Sequence, residues 1–359
     1  MAQHKTTPIA DATLRERIRQ ARATLGDQAV ILGHHYQGDL VVEFADFRGD
    51  SYGLCQNAAN VAAKYIIFAG VHFMAESAAI LCRPDQSVIL PNMDAGCVMA
   101  DMARLKPVQT AWDTLHAVLD DAAKIVPITY INSTADLKAF VGKNGGVVCT
   151  SSNARGALEW AFERGERVFF FPDQHLGRNT GKAMGIPPEQ IVLWNPHEPQ
   201  GGLTDSAIRN ARIILWYGYC PIHFRFRPEQ VDWWREKQPD IKILVHPECP
   251  MEVVDKADYV GSTGYIIKTV EAAPPGSKWA IGTEFHLVNR LKSQHPDKMI
   301  ESLSPTPQKC INMQKITPLH LRDVLEALVA GRVVNQVTVP GEVGKYAKLA
   351  LDRMLAIPK

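Results

Sequence analysis

The stretch KILVHPECP, residues 242–250, runs from a short apolar segment straight into a histidine, a glutamate and a cysteine. An apolar run of this length suits a strand covered on both faces. Polar groups at its carboxyl end suit an open parallel sheet, which binds ligands beyond the ends of its strands. The same grammar recurs in AVILGHHY, KYIIFAG, SVILP, VPITYINS, GVVCTSS, RVFFFPD, QIVLW, DYVGSTG and KWAIGTE, with helix-like segments between many of them. The expectation is an α/β fold built on parallel strands.

Taken in order, the runs form a threefold pattern: a strand ending in polar groups, a serine-bearing segment, an apolar strand followed by an acid, and a cysteine. The first unit offers ILGHHY with His34 and Tyr36, GDS with Ser51, YIIFAGVHFMAE, and DAGC with Cys97. The second offers PITYINST with Tyr130 and Asn132, CTSSNA with Ser151, VFFFPD, and WYGYC with Cys220. The third offers ILVHPEC with His246 and Glu248, VGSTG with Ser262 and Thr263, WAIGTE, and KC with Cys310. The second unit is the longest, and an insertion at GRNTGKAMGIPPEQ, residues 177–190, accounts for it.

Composition narrows the partners. The 359 residues are 46% hydrophobic, enough for more than one core, and 39 Lys plus Arg against 38 Asp plus Glu leave a net charge of +1 with no charged run. Neither nucleic acid nor a membrane surface is indicated. The start is polar, with no apolar signal core, and predicts an amphipathic helix capped by Asp11 and carrying Leu14, Ile18 and Leu25. The most apolar window, from residue 62, is broken by Lys64, His72 and Glu76 and reads as strand, loop and buried helix rather than a bilayer span. A cytoplasmic protein is expected. The seven cysteines form an odd set without regular spacing, so disulfides are not expected in that reducing compartment.

Three repeated units would bring Cys97, Cys220 and Cys310 together. Three thiolates would leave one iron of a four-iron four-sulfur cluster open to a substrate oxygen or nitrogen, as a Lewis acid. Zinc is a rival, because Cys220-Pro-Ile-His223 has a C-x-x-H spacing, although no C-x-x-C pair is present and His223 also fits an ordinary turn histidine. Hydroxyls beside glycine in GDS, TSS and GST suit carboxylate or phosphate oxygens at a helix N-terminus, or plain caps. Glu248 has the placement of a general acid or base, or of a solvated strand-end glutamate. No GxGxxG or GxxxxGK[ST] pattern occurs, which argues against those modes of nucleotide binding.

Together ILGHHYQ, ADFRGDS, IIFAGVHFMAES, DAGCVMADM, YINSTAD, CTSSNA, GYCPIH, HPECP, STGYIIK and KCINM resemble, in the same order and over residues 29–318, the quinolinate synthase family of de novo NAD biosynthesis. The resemblance implies three similar three-layer αβα sandwich domains about a pseudo-threefold axis. It places domains at 28–105, 106–228 and 229–325, flanked by an N-terminal helix in 1–27 and a C-terminal helical segment in 326–359. It implies a 4Fe-4S cluster on Cys97, Cys220 and Cys310, with one iron left for substrate. By the same likeness, iminoaspartate and dihydroxyacetone phosphate condense to quinolinate, with the imine supplied by an aspartate oxidase or dehydrogenase. His34 and Tyr36 would touch substrate. Ser51, Tyr130, Asn132 and Ser151 would hold carboxylate or phosphate oxygens, His223 would sit beside the cluster, and His246, Glu248, Ser262 and Thr263 would complete the pocket. Glu248, Tyr36, His34 and His223 would move protons, and Cys249 would be a neighbour, not a ligand. Read instead as a non-catalytic or electron-transfer iron–sulfur protein, the chain would take Cys249 as a fourth ligand. Two departures stand out: His35 occupies a position where many members carry asparagine, and Cys310 is followed by Ile311, Asn312 and Met313, without the C-x-x-C of some members.

Overall fold

The computed structural model describes residues 8–119 and 124–358. Three open sheets carry the chain in succession. The first holds β1 (Ala29–His34), β2 (Phe47–Gly49), β3 (Tyr65–Ala69) and β4 (Ser87–Ile89). The second holds β5 (Ile125–Tyr130), β6 (Val147–Cys149), β7 (Arg167–Phe171), β8 (Ile191–Trp194) and β9 (Ile213–Trp216). The third holds β10 (Lys242–Val245), β11 (Tyr259–Val260), β12 (Lys278–Gly282) and β13 (Met299–Ser302).

All three share one strand order. In the first sheet it is β2-β1-β3-β4, in the second β6-β5-β7-β9, and in the third β11-β10-β12-β13, with every one of these pairs parallel. The first strand of each unit thus sits between the second and the third. Helices cover both faces, so β1 and β5 are buried along their whole length, and their near-continuous Val and Ile content follows from having no solvent face. The α/β reading therefore holds, with three parallel sheets flanked by helices.

Several details differ from expectation. The N-terminal helix, Pro8–Leu25, begins before Asp11, which lies inside it and not at its cap. Leu25 and Ile18 are buried from that helix, with Leu14 partly so. The extra length of the second unit overlaps residues 177–190 only from residue 184 onward. Residues 177–183 belong to the helix Gln174–Ala183, which has a counterpart after β3 (His72–Leu81) and after β12 (Phe285–Gln294). The additional material comes later: β8 pairs outside β9, and the helix Asp205–Asn210 leads back into β9. A segment from far along the chain closes the first sheet, where β14 (Gln336–Val337) pairs antiparallel with β4.

The closing helix Gly341–Ala356 buries Ala347, Ala350, Leu351 and Met354 against the helix Ala135–Lys143 of the second unit. Small residues let the two backbones approach, and Gly142 marks the nearest point, where an added Cβ would stand 1.9 Å from the Tyr346 carbonyl oxygen. Because that neighbour is backbone, it cannot swing aside. Gly142→Ala is expected to destabilise the protein by about 1–3 kcal/mol through overpacking, and a thermal melt several degrees below that of the parent checks it.

Candidate active site

The carboxyl ends of the strands converge on one cavity of about 160 Å³. From the first strand of each unit come His34 and Tyr36, Tyr130 and Asn132, and His246 and Glu248. From the second strand of each come Ser51, Ser151 and Thr263, and past β4, β9 and β13 come Cys97, Cys220 and Cys310. His223 completes the set beside Cys220. Ser262 is the exception: it caps the helix Thr263–Ala272, its hydroxyl accepting from the Tyr265 N–H, and it does not line the cavity. Ser51 and Thr263 are the first residues of the ten-residue helices Ser51–Asn60 and Thr263–Ala272, whose N-termini thus face the cavity and favour anionic groups there.

The third unit's His246 and Glu248 repeat the first unit's His34 and Tyr36. His34 Nδ1 accepts from the Tyr36 N–H at 3.1 Å, and His246 Nδ1 accepts from the Glu248 N–H at 3.3 Å. Each imidazole thereby folds its own strand-end turn. Burial, aided by neighbouring imidazoles, lowers both to about 3, so both rings are neutral at physiological pH. A ring that ordinarily takes its proton near 6.5 then adds stability above that pH, and loses it as the pH falls toward 3. The melting temperature is expected to drop on acidification below pH 6.5, and His34→Asn, whose Oδ1 keeps the acceptor, should flatten that slope.

A continuous hydrogen-bonded chain links the three units. The Tyr36 hydroxyl pairs with Thr283 Oγ1 at 2.8 Å, Thr283 with His223 Nε2 at 3.1 Å, His223 Nδ1 with Glu248 Oε2 at 2.6 Å, and the Tyr130 hydroxyl donates to Glu248 Oε1 at 2.5 Å. Burial alone would raise the Glu248 carboxyl, but His223, His246 and the bonds from His223 and Tyr130 outweigh it and hold the carboxyl below its usual range. Burial, with Glu248 adding to it, pushes the Tyr36 and Tyr130 hydroxyls well up. The result is a carboxylate base between two phenols that keep their protons. Thr283 escaped sequence reading, since a lone threonine at a strand end carries no signal. Asp50, which also lines the cavity, accepts from Ser152 Oγ at 2.6 Å and caps the helix Ser51–Asn60.

The thiols of Cys97, Cys220 and Cys310 come from three units yet are close enough to disfavour one another's ionisation. Burial is the main cause of their raised values, reaching about 12 at Cys97. Backbone N–H groups oppose it: those of Met99 and Ala100 at Cys97, His223 at Cys220, and Asn312 and Met313 at Cys310. Three buried sulfurs that repel as thiolates, each facing backbone donors, are a donor set suited to a shared iron–sulfur cation. Cys249 is elsewhere. It is fully buried among Phe226, Val231 and Val253, its thiol directed to the Gly282 carbonyl at 3.5 Å. One ligand atom each from Cys220, His223 and Glu248 also lies within 4.8 Å of the others, but both ring nitrogens of His223 are already bonded within the protein. His35 is half-buried, does not line the cavity, and offers its carbonyl to Arg290.

Comparison with known proteins agrees with this geometry. The family model described as Quinolinate synthetase A protein matches residues 16–356. The chain is 54% identical to a quinolinate synthase of Rhodopirellula baltica, covering 97% of this chain and 92% of the relative. It is 54% identical to that of Corynebacterium glutamicum (97% and 88%) and 49% identical to that of Anoxybacillus flavithermus (99% and 98%). With the match running from the N-terminal helix to the closing one, the chain belongs to the quinolinate synthetase A family.

Proposed function

We propose that the chain condenses iminoaspartate with dihydroxyacetone phosphate to give quinolinate, one phosphate and two waters, at the cavity where the three units meet. The observation that carries this reading is the meeting of one cysteine from each unit with the buried Glu248–His223–Thr283–Tyr36 chain. In this reading the three units are related by a pseudo-threefold axis and correspond to domains near 28–105, 106–228 and 229–325.

Cys97, Cys220 and Cys310 would hold a 4Fe-4S cluster with one iron left open. When bound, that cluster supplies a Lewis acid able to polarise a substrate hydroxyl or carbonyl. The protein's own groups account for the rest. Ser51, Thr263, Ser151 and Asn132, with two helix N-termini behind them, bind the carboxylate and phosphate oxygens. Glu248 takes the proton released as the enamine carbon attacks the three-carbon phosphate, and Tyr130 and His223 hold its carboxylate in place. Tyr36, joined to His223 through Thr283, supplies the proton needed as water departs. His34 and His246, being neutral, act as hydrogen-bonding groups rather than cations. Atoms balance without an oxidant, so no electron has to leave the cavity.

Among the described residues no helix is long and apolar enough to cross a membrane, and the described cysteines are all free. Both fit work in the cytoplasm, beside an aspartate oxidase or dehydrogenase that releases the short-lived imine. A second reading is favoured by the closeness of Cys220, His223 and Glu248: a zinc-stabilised binding protein. An anaerobic assay on cluster-reconstituted protein, with freshly generated iminoaspartate and dihydroxyacetone phosphate, separates the two. Brown protein that forms quinolinate supports the synthase, while colourless, zinc-loaded, inactive protein supports the alternative.

A further inference from the structure

The side chains that shape the cavity from outside it repeat one arrangement in two of the three units. In the third unit, Arg290 of the helix Phe285–Gln294 reaches the first unit, donating to the carbonyls of His35 at 2.8 Å and Gln37 at 2.6 Å. Those are the carbonyls of the residues on either side of Tyr36. In the second unit, Asn179 of the helix Gln174–Ala183 reaches the third, its side-chain nitrogen donating to the carbonyls of Pro247 and Cys249 at 2.8 Å each. Those flank Glu248. Asn179 and Arg290 are each the sixth residue of the helix that follows their unit's third strand. In the first unit the corresponding helix, His72–Leu81, carries Glu76, whose carboxylate accepts from the N–H of Ala135, the first residue of the second unit's helix Ala135–Lys143. There the carbonyl after Asn132, that of Ser133, is gripped by the fully buried Lys138.

We propose that Asn179 and Arg290 are positioning residues for the reaction, each fixing the strand-end loop of the next unit by its two carbonyls so that Glu248 and Tyr36 keep their aim across the unit boundaries. The inference rests on the role given above to Glu248. One amide nitrogen presents two diverging N–H groups and a guanidinium presents a planar fork, so each can hold two carbonyls at fixed separation where a single donor cannot. The gripped carbonyls belong to loops that are otherwise held by the imidazoles of His34 and His246 and by short backbone turns, Gln37 N–H to the His34 carbonyl and Cys249 N–H to the His246 carbonyl. Without the clamp, a loop retains its fold but gains freedom about those contacts, and a displacement on the order of 1 Å at a reacting group costs about a hundredfold in turnover. Glu248 is the more exposed to this effect, because its two oxygens must meet Tyr130 and His223, which stand on the second unit, while its backbone stands on the third.

The test uses full-length, cluster-loaded protein carrying Asn179→Asp, which keeps the shape and removes both donors, with Asn179→Leu, Arg290→Lys and Glu248→Gln beside it. Expected for Asn179→Asp and Asn179→Leu are a fall in kcat of about 30- to 100-fold, KM within about threefold, and unchanged iron and sulfide per chain. Amide hydrogen exchange should rise in residues 246–252 and not in 34–38. Arg290→Lys, which keeps the charge and one donor direction, should reverse the pattern, raising exchange in 34–38 with a fall in kcat of about tenfold. Turnover within threefold of wild type, or turnover lost only in proportion to lost iron, overturns the proposal in favour of plain interface packing. Full activity in Glu248→Gln overturns instead the role of Glu248 on which it rests; an inactive Glu248→Gln beside a fully active Asn179→Asp sinks the clamp alone.

Discussion

Cys97→Ser protein is expected to come out of anaerobic reconstitution without the broad visible absorbance of an iron–sulfur centre and to form no quinolinate, whereas Cys249→Ser keeps both. Cys97 stands alone as its unit's contribution to the thiol group, so no neighbouring sulfur can take its place. A hydroxyl at that position stays protonated in the same buried setting, where even the thiol is pushed up to about 12. A Lewis acid is worth several kcal/mol of transition-state stabilisation, so its loss corresponds to about a thousandfold or more in rate. Cys249 turns away from the cavity, in the turn after β10. Its sulfur packs in the third unit's core, and serine there costs stability without touching the cavity. Iron content, sulfide content and the visible spectrum read both variants directly.

Glu248→Gln is the second large effect. Glutamine is isosteric, so it still accepts from the Tyr130 hydroxyl and still meets His223, and the cavity keeps its shape. It cannot take a proton. Loss of a positioned general base is expected to lower kcat by about a hundredfold to ten-thousandfold with KM little changed and the cluster retained. Single-turnover measurement of quinolinate under anaerobic conditions checks it, since a binding defect would recover at high substrate and a chemical one would not.

Much of this was legible before any coordinates. Strand-end histidine and glutamate in KILVHPECP mark the carboxyl edge of a parallel sheet, and the shared order of the three sheets is the physical basis of the repeat in sequence. The long apolar strands announced themselves. Some short ones did not: β2 is three residues with an exposed start, β14 is two residues, and β13 mixes polar residues into its run, whereas the two-residue β11 was caught through DYVGSTG. β9 was hidden for another reason, lying between a helix and a loop read as the unit's end, although IILW is fully buried. The insertion was misplaced because GRNT looks like a loop. Its glycines instead let the helix Gln174–Ala183 lie close on the sheet, Gly177 against Leu215 and Gly181 against Ile213.

Within the site, residues whose type implies chemistry were found, and those that act through geometry were not. Cysteine, histidine and glutamate at strand ends carry a signal in their identity alone. Thr283 matters because it joins Tyr36 to His223, and Asn179 because two carbonyls of another unit lie at its amide. Both facts depend on distances between residues far apart in the chain. Ser262 shows the opposite case, a hydroxyl in a promising motif that is spent on capping its own helix while Thr263, the next residue, reaches the cavity.

The most direct test of the central claim is the Mössbauer spectrum of the iron-57-reconstituted protein, recorded with and without quinolinate. Three protein thiols with one iron open to substrate predict that one iron site of the four changes its isomer shift and quadrupole splitting on binding while the other three stay as they were. Four sites that remain unchanged with quinolinate bound would mean that every iron already has its protein ligand, and would contradict the account.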